Sequence, residues 1–155
     1  MNYKKTIHNF EKKPDEVHTI TLADMKKAYK NNLQTNNPII YQTFIKKFPP
    51  IQLGLTVINA GTINKEFFMT RGHIHAKKTP EFYILLEGKG ILLMQKADKP
   101  KVIDLKKGEV VLIPEGYAHR LINNGKKKLK VLTIYHEDSK PNYNVEFKKR
   151  FLENE

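Results

Sequence analysis

The chain has 155 residues, 28 Lys and Arg against 16 Asp and Glu, a net charge of +12 and no cysteine. That length suits one domain with a sizeable core, and the lack of thiols excludes disulfides, zinc fingers, iron–sulfur clusters and cysteine nucleophiles. No stretch approaches the ~20 apolar residues of a membrane-spanning helix or the apolar run of a signal peptide, so the expectation is a soluble, cytoplasmic protein with no membrane partner. The lysines come in short groups such as Lys46–Lys47, Lys106–Lys107 and Lys126–Lys128, most of them in turns or at strand ends. Such scatter describes a solvated surface. With no aromatic-interleaved basic motif and no recognition-helix pattern, it predicts no nucleic-acid partner.

In chain order, residues 1–19 are polar and read as irregular, and the N-terminal extension runs to residue 37. Thr21-Leu-Ala-Asp24 has the form of a capping box, and Leu22, Met25 and Tyr29 follow at helical spacing. A short amphipathic helix is therefore predicted over residues 22–32. Asn31, Asn32, Asn36, Asn37 and Pro38 end it in a loop. After Pro38 the pattern becomes β-branched and aromatic: 39–45, 53–59, 66–70, 81–87, 91–95, 101–104, 110–113, 120–123 and 129–135 read as strands. Between them stand Pro49-Pro50, Ala60-Gly61, Gly72, Gly88-Lys89-Gly90, Lys107-Gly108, Pro114-Glu115-Gly116 and Asn124-Gly125, which are turn signals. Many short strands with regular turns predict an all-β sandwich or barrel. The tail from Tyr143 to Glu155 reads either as an edge strand or as a short helix. No repeat or linker divides the chain, so one domain spans residues 1–155.

Four side chains could carry chemistry together. His73 and His75 share one side of a strand at i and i+2, and Glu81 and His119 can reach the same point from neighbouring strands. Three imidazoles and a carboxylate suit a divalent transition metal and leave positions open for substrate or water. Buried, unpaired imidazoles with a buried carboxylate would otherwise be costly. This places a metal-binding core at about residues 53–136. His8 and His18 sit in the polar N-terminal stretch and read as solvated. His136 ends a strand and reads as a surface residue that could reach the barrel mouth.

The segment Gly108-x5-Pro114-x-Gly116-x2-His119-x3-Asn123 resembles the second signature of the cupin superfamily at every fixed position, and His73-x-His75-x5-Glu81-x6-Gly88 resembles the first. The first departs by lacking its leading glycine and by a longer gap before the glutamate. A lone His-x-His carries little information; both signatures in order carry much more. The resemblance implies a cupin fold, a small double-stranded jelly-roll barrel, here with a short N-terminal helix. Asn123 then reads as a turn or hydrogen-bonding residue.

A narrower resemblance lies in the run Asn64-Lys65-Glu66-Phe67-Phe68-Met69-Thr70-Arg71-Gly72-His73-Ile74-His75-Ala76-Lys77, which is similar to the cupin-type glucose-6-phosphate isomerases. That resemblance implies phosphate binding by Tyr41, Thr56, Thr70, Gly72, Tyr135 and Tyr143. It also implies metal binding by His73, His75, Glu81 and His119 and substrate contact by Tyr83, while Glu81, on the same rim, is the candidate for proton transfer between C2 and C1, with a metal-assisted hydride shift as the alternative. Hydroxyls and a glycine amide are suitable donors to a phosphate dianion. The implied reaction interconverts glucose 6-phosphate and fructose 6-phosphate. The implied metal is Fe²⁺ or Mn²⁺, while the donor set by itself also admits Ni²⁺, Co²⁺ or Zn²⁺. A homodimer is implied too. Phe68, Phe82, Leu85 and Ile113 read as barrel core or dimer contacts. One departure matters: Pro141 stands where the family has a histidine two residues before the late tyrosine, so that role is absent or taken by another group such as His136. The alternatives are another metal-dependent cupin enzyme, such as a dioxygenase, or a non-enzymatic sugar-phosphate-binding cupin.

Overall fold

The computed structural model describes residues 3–29 and 35–154. Helix α1 (Tyr3–Lys12) and strand β1 (Glu16–Thr21) lie in the stretch that read as irregular. The short helix is therefore here, and of the stretch 22–32 the described part, 22–29, holds only a 3₁₀ turn, Ala23–Met25; residues 30–34 lie outside the described residues. The capping contact is nonetheless made: Asp24 Oδ2 accepts from the Thr21 amide and from its hydroxyl, each at 2.8 Å. Beyond the cap, the amides bond only locally, Met25 N to Leu22 O, Ala28 N to Met25 O and Tyr29 N to Met25 O. Leu22 N bonds to Pro38 O and Ala23 N to Asn37 Oδ1, so the following loop folds back over the start. Leu22, Met25 and Tyr29 are still buried, as their spacing requires.

The strands after residue 39 follow the sequence pattern closely. They are β2 (Ile39–Phe48), β3 (Ile51–Ile58), β4 (Thr62–Ile63), β5 (Glu66–Phe67), β6 (Ile74–His75), β7 (Glu81–Glu87), β8 (Ile91–Lys96), β9 (Lys99–Asp104), β10 (Val110–Ile113), β11 (Ala118–Ile122), β12 (Leu129–His136) and β13 (Pro141–Asn142). A six-stranded sheet runs β1-β2-β3-β12-β7-β10 and faces a three-stranded sheet, β11-β8-β9. The stretch 69–73 extends the smaller sheet through bridges of Met69 to Ile122 and His73 to His119. Between the sheets lies a core that includes Ile58, Leu85, Leu92, Ile113, Leu121 and Val131. The C-terminal segment forms no helix; it crosses the outer face of the smaller sheet, and Leu152 bridges to Glu66. Gln95 on β8 ties it down, donating to Glu146 O and accepting from Lys148 N, each at 2.9 Å.

Register decides which side chains share the interior. Glu81 pairs with Tyr135 on one side and Ile113 on the other, and Tyr83 pairs with Thr133. Thr56 pairs with Thr43 and with Val131. Strand alternation then sends Glu81 and Tyr83 inward and Phe82 outward. On the outer face of the large sheet, Phe10 of α1 packs on Leu55, Val57 and Leu86. Phe82, Val110 and Leu112 remain exposed beside that cover, whereas Phe68, Leu85 and Ile113 are core.

Asn123 is fully buried at the end of β11. Its two amide protons are shared among the carbonyls of Ile58, Asn59 and Lys127 at 2.9–3.1 Å, and its Oδ1 accepts from Gly125 N at 3.0 Å. It thus joins both sheets and the following turn. Asn123→Ala should strand several buried polar groups and cost about 3 kcal/mol at about 1 kcal/mol for each lost bond. Urea unfolding checks this; a change below about 1 kcal/mol would show that the turn holds without it.

Candidate active site

The turn before the first histidine is built for close approach. Gly72 has φ +74°. A Cβ there would meet Phe147 at 2.6 Å and Arg120 Cβ at 3.1 Å, so only glycine fits both the backbone and the space. From it the chain enters the barrel beside β11, where His73 N bonds His119 O and His119 N bonds His73 O. The side chains of His73, His75 on β6, Glu81 at the start of β7 and His119 on β11 converge. One ligand atom from each lies within 4.8 Å of the others.

Their orientation suits a metal ion. His75 Nδ1 lies 2.8 Å from Thr79 O, and His119 Nδ1 lies 3.1 Å from Tyr117 O. A carbonyl can only accept, so both Nδ1 atoms carry the proton and both Nε2 lone pairs face inward. This is the outer support that metal-bound imidazoles require. Glu81 Oε2 stands 3.2 Å from His75 Nε2 and 3.1 Å from His119 Nε2. These are ion-pair distances, yet Glu81 Oε2 and His119 Nε2 are buried with no aligned hydrogen-bond partner among the described residues. Two ligands ~2.1 Å from one ion and at right angles stand ~3 Å apart, close to the spacing seen. The four residues can therefore hold a divalent metal. Burial opposes charge on Glu81, and only positive charge beside it, on the His119 and His75 imidazoles or on an ion held among them, keeps its carboxyl below the usual range. Burial, with His119 beside it, lowers His73 to about 3, so its imidazole is neutral and free to bind an ion.

Tyr41, Thr56, Thr70, Gly72, Tyr83, Tyr135 and Tyr143 line the same cavity of about 290 Å³ as these four residues. Every residue singled out from the sequence for substrate or metal thus meets at one place. Several hydroxyls are set up to donate. Thr70 Oγ1 accepts from Leu121 N at 3.0 Å, which leaves its own proton to give. Tyr41 Oη accepts weakly from Arg71 N at 3.5 Å. Burial pushes Tyr41 up to about 12 and raises Tyr83 and Tyr135 as well. All three remain neutral donors at physiological pH. Arg71 does not itself line the cavity, but its guanidinium lies 4.0 Å over the ring of Tyr143, which does.

Some cavity residues escaped the sequence. Thr43 and Thr133 line it, and each lies two residues from a predicted contact, Tyr41 and Tyr135; same-face alternation was the signal that could have found them. His18 lies at the mouth; it is exposed, as expected, but not remote. His8 is exposed. His136 does not line the cavity; its Nδ1 accepts from Asp138 N at 3.1 Å. Lys140, not a histidine, accompanies Pro141 there.

Fold and site together define a cupin with a three-histidine, one-glutamate cluster that can hold a divalent metal. Among solved structures, oxalate decarboxylase from Bacillus subtilis matches with a TM-score of 0.54 and 21% identity over 63% of this chain and 26% of that one. FeII HppE matches at 0.51 and 16% identity over 79% of this chain and 57% of that one. At those identities the likeness is one of fold. The model of the family described as Glucose-6-phosphate isomerase (GPI) matches residues 21–152, and the chain belongs to that family. Similar relatives are the glucose-6-phosphate isomerases of Thermococcus litoralis, 32% identical over 142 residues, and Pyrococcus furiosus, 33% identical over 142 residues. Each match covers 84% of this chain and 75% of the relative.

Proposed function

We propose that this protein is a metal-dependent isomerase interconverting glucose 6-phosphate and fructose 6-phosphate in cytoplasmic sugar metabolism. The observation that carries the reading is the lining of one cavity by a metal-type cluster and, next to it, a set of neutral hydroxyls with the Gly72 amide. The hydroxyls of Tyr41, Thr56, Thr70, Tyr135 and Tyr143 and the Gly72 N–H bind the phosphate, which anchors the far end of the sugar. With the phosphate fixed, C1 and C2 rest beside Glu81 and Tyr83. His73, His75, Glu81 and His119 would hold the metal, Fe²⁺ or Mn²⁺, which supplies a Lewis acid for the sugar oxygens when bound.

Glu81 moves the proton between C2 and C1, and the substrate passes through a cis-enediol. Oε2 is the oxygen packed against His75 and His119, so Oε1 is assigned to the proton. Tyr83, neutral and two residues along the same strand face, donates a hydrogen bond to a sugar oxygen. The exposed Phe82, Val110 and Leu112 are the face on which two copies form a homodimer.

The test is a coupled assay with fructose 6-phosphate on protein stripped of metal and resupplied with Fe²⁺ or Mn²⁺. Metal-dependent formation of glucose 6-phosphate is expected, and its absence refutes the reading. Thr70→Val should raise KM about tenfold or more while metal content is kept, since a hydrogen bond to a charged group contributes about 1.5–3 kcal/mol. An unchanged KM would remove Thr70 from the phosphate site.

A further inference from the structure

Arg120 follows the cluster residue His119 on β11, so its side chain leaves the opposite face of the strand, away from the cavity. It is buried, at 8% exposure, and a buried guanidinium needs a reason. Burial lowers it to about 10 against the pull of the nearby Glu66 carboxylate, so it stays charged. Its Nη2 donates to Arg71 O at 2.7 Å, and its guanidinium carbon lies 4.2 Å over the Phe147 ring. Both contacts bear on the phosphate half of the site.

The first concerns the Arg71–Gly72 peptide. Among the described residues the only cis peptide is Pro49–Pro50, so this one is trans, and its C=O and N–H point in opposite directions. With Arg71 O drawn to Arg120 on the outer face, Gly72 N–H is turned to the cavity side. No hydrogen bond from Gly72 N–H to another described residue is formed. The second contact concerns the C-terminal segment. Phe147 is held between Arg120 and Gly72, and four residues earlier the same segment brings Tyr143 to the cavity, 5.8 Å from the His73 ring.

We propose that Arg120 is a positioning residue for phosphate: through the Arg71 carbonyl it aims Gly72 N–H into the cavity, and through Phe147 it fixes the segment that presents Tyr143. The inference rests on the phosphate-binding reading of Gly72 and Tyr143. A guanidinium can bond a carbonyl along its edge and stack on a ring with its face; a lysine ammonium cannot do both at once. Because Arg120 stands outside the cavity, it acts on substrate affinity and not on the chemical step.

The test compares metal-loaded wild type with Arg120→Lys and Phe147→Leu. It measures metal content, KM and kcat for fructose 6-phosphate, and calorimetric binding of inorganic phosphate. For Arg120→Lys we expect wild-type metal content, kcat within about threefold, and KM and the phosphate Kd both raised about tenfold. Phe147→Leu should shift the same two constants less. If Arg120→Lys does not fold, the Phe147→Leu result decides. A folded, metal-loaded variant with unchanged KM and phosphate Kd overturns the proposal, as does a loss of affinity that only tracks loss of metal. A wild type that neither isomerises nor binds phosphate refutes the phosphate reading, and the proposal with it. A wild type that does both, beside unaffected variants, refutes the proposal alone.

Discussion

A His119→Ala protein should be isolated with little metal and with kcat/KM lowered by at least about a thousandfold, because the several kcal/mol that a Lewis acid contributes to charge stabilisation are lost together with the ion. His119 is held as a metal ligand would be. It is 1% exposed, its Nδ1–H is anchored on the Tyr117 carbonyl, and its Nε2 is one of two cluster atoms with no aligned partner. Three remaining donors would have to hold the ion across a new cavity. The fold should persist, since the His73–His119 bridge uses backbone atoms that alanine retains. Metal analysis, circular dichroism and the coupled assay separate the outcomes. Full metal content with full activity would remove His119 from the site.

What could be read from the sequence follows the physics of each part. The strands from residue 39 onward stood out because their inner faces are packed, and in β3, β8 and β11 most of both faces, so β-branched and aromatic residues are dense between sharp turns. β1 did not. It is an edge strand with exposed Glu16 to Thr19, and among the described residues it pairs with β2 alone, so its sequence carries no apolar alternation. α1 was missed for a similar reason: one described side chain, Phe10, makes its contact with the core. Of the expected helix over residues 22–32, the described part forms its cap and then a 3₁₀ turn, with the loop at Asn37 and Pro38 bonded to Ala23 N and Leu22 N, a contact that local propensity does not contain.

The cluster residues were readable because turn residues bracket them at fixed spacings. Their supports were not. Thr79 and Tyr117 act through backbone carbonyls, which any residue type offers. Ser139 reaches Thr79 Oγ1 at 2.7 Å from sixty positions away. Arg120 gains its meaning only once the C-terminal segment lies across β11. The sequence thus names most of the polar groups that line the cavity, and the fold supplies those that aim them.

Glu81→Gln should lower kcat by about 10²–10⁴-fold, the range that a positioned proton carrier contributes, and this substitution separates two roles that one carboxylate combines. As a cluster member, Glu81 contributes Oε2, and its charge outlasts burial only because His75 and His119 stand beside it. As the proton carrier, it must give and receive a proton at Oε1. Glutamine keeps the shape and an amide oxygen but neither the charge nor the proton. Supplying excess Fe²⁺ or Mn²⁺ until occupancy matches wild type isolates the second role. If kcat stays low at equal occupancy, proton transfer by Glu81 is supported, and isomerisation by wild type in deuterated water should place deuterium in the product. If kcat recovers with occupancy and the product carries no deuterium, hydrogen passes directly from C2 to C1 and Glu81 serves the metal alone.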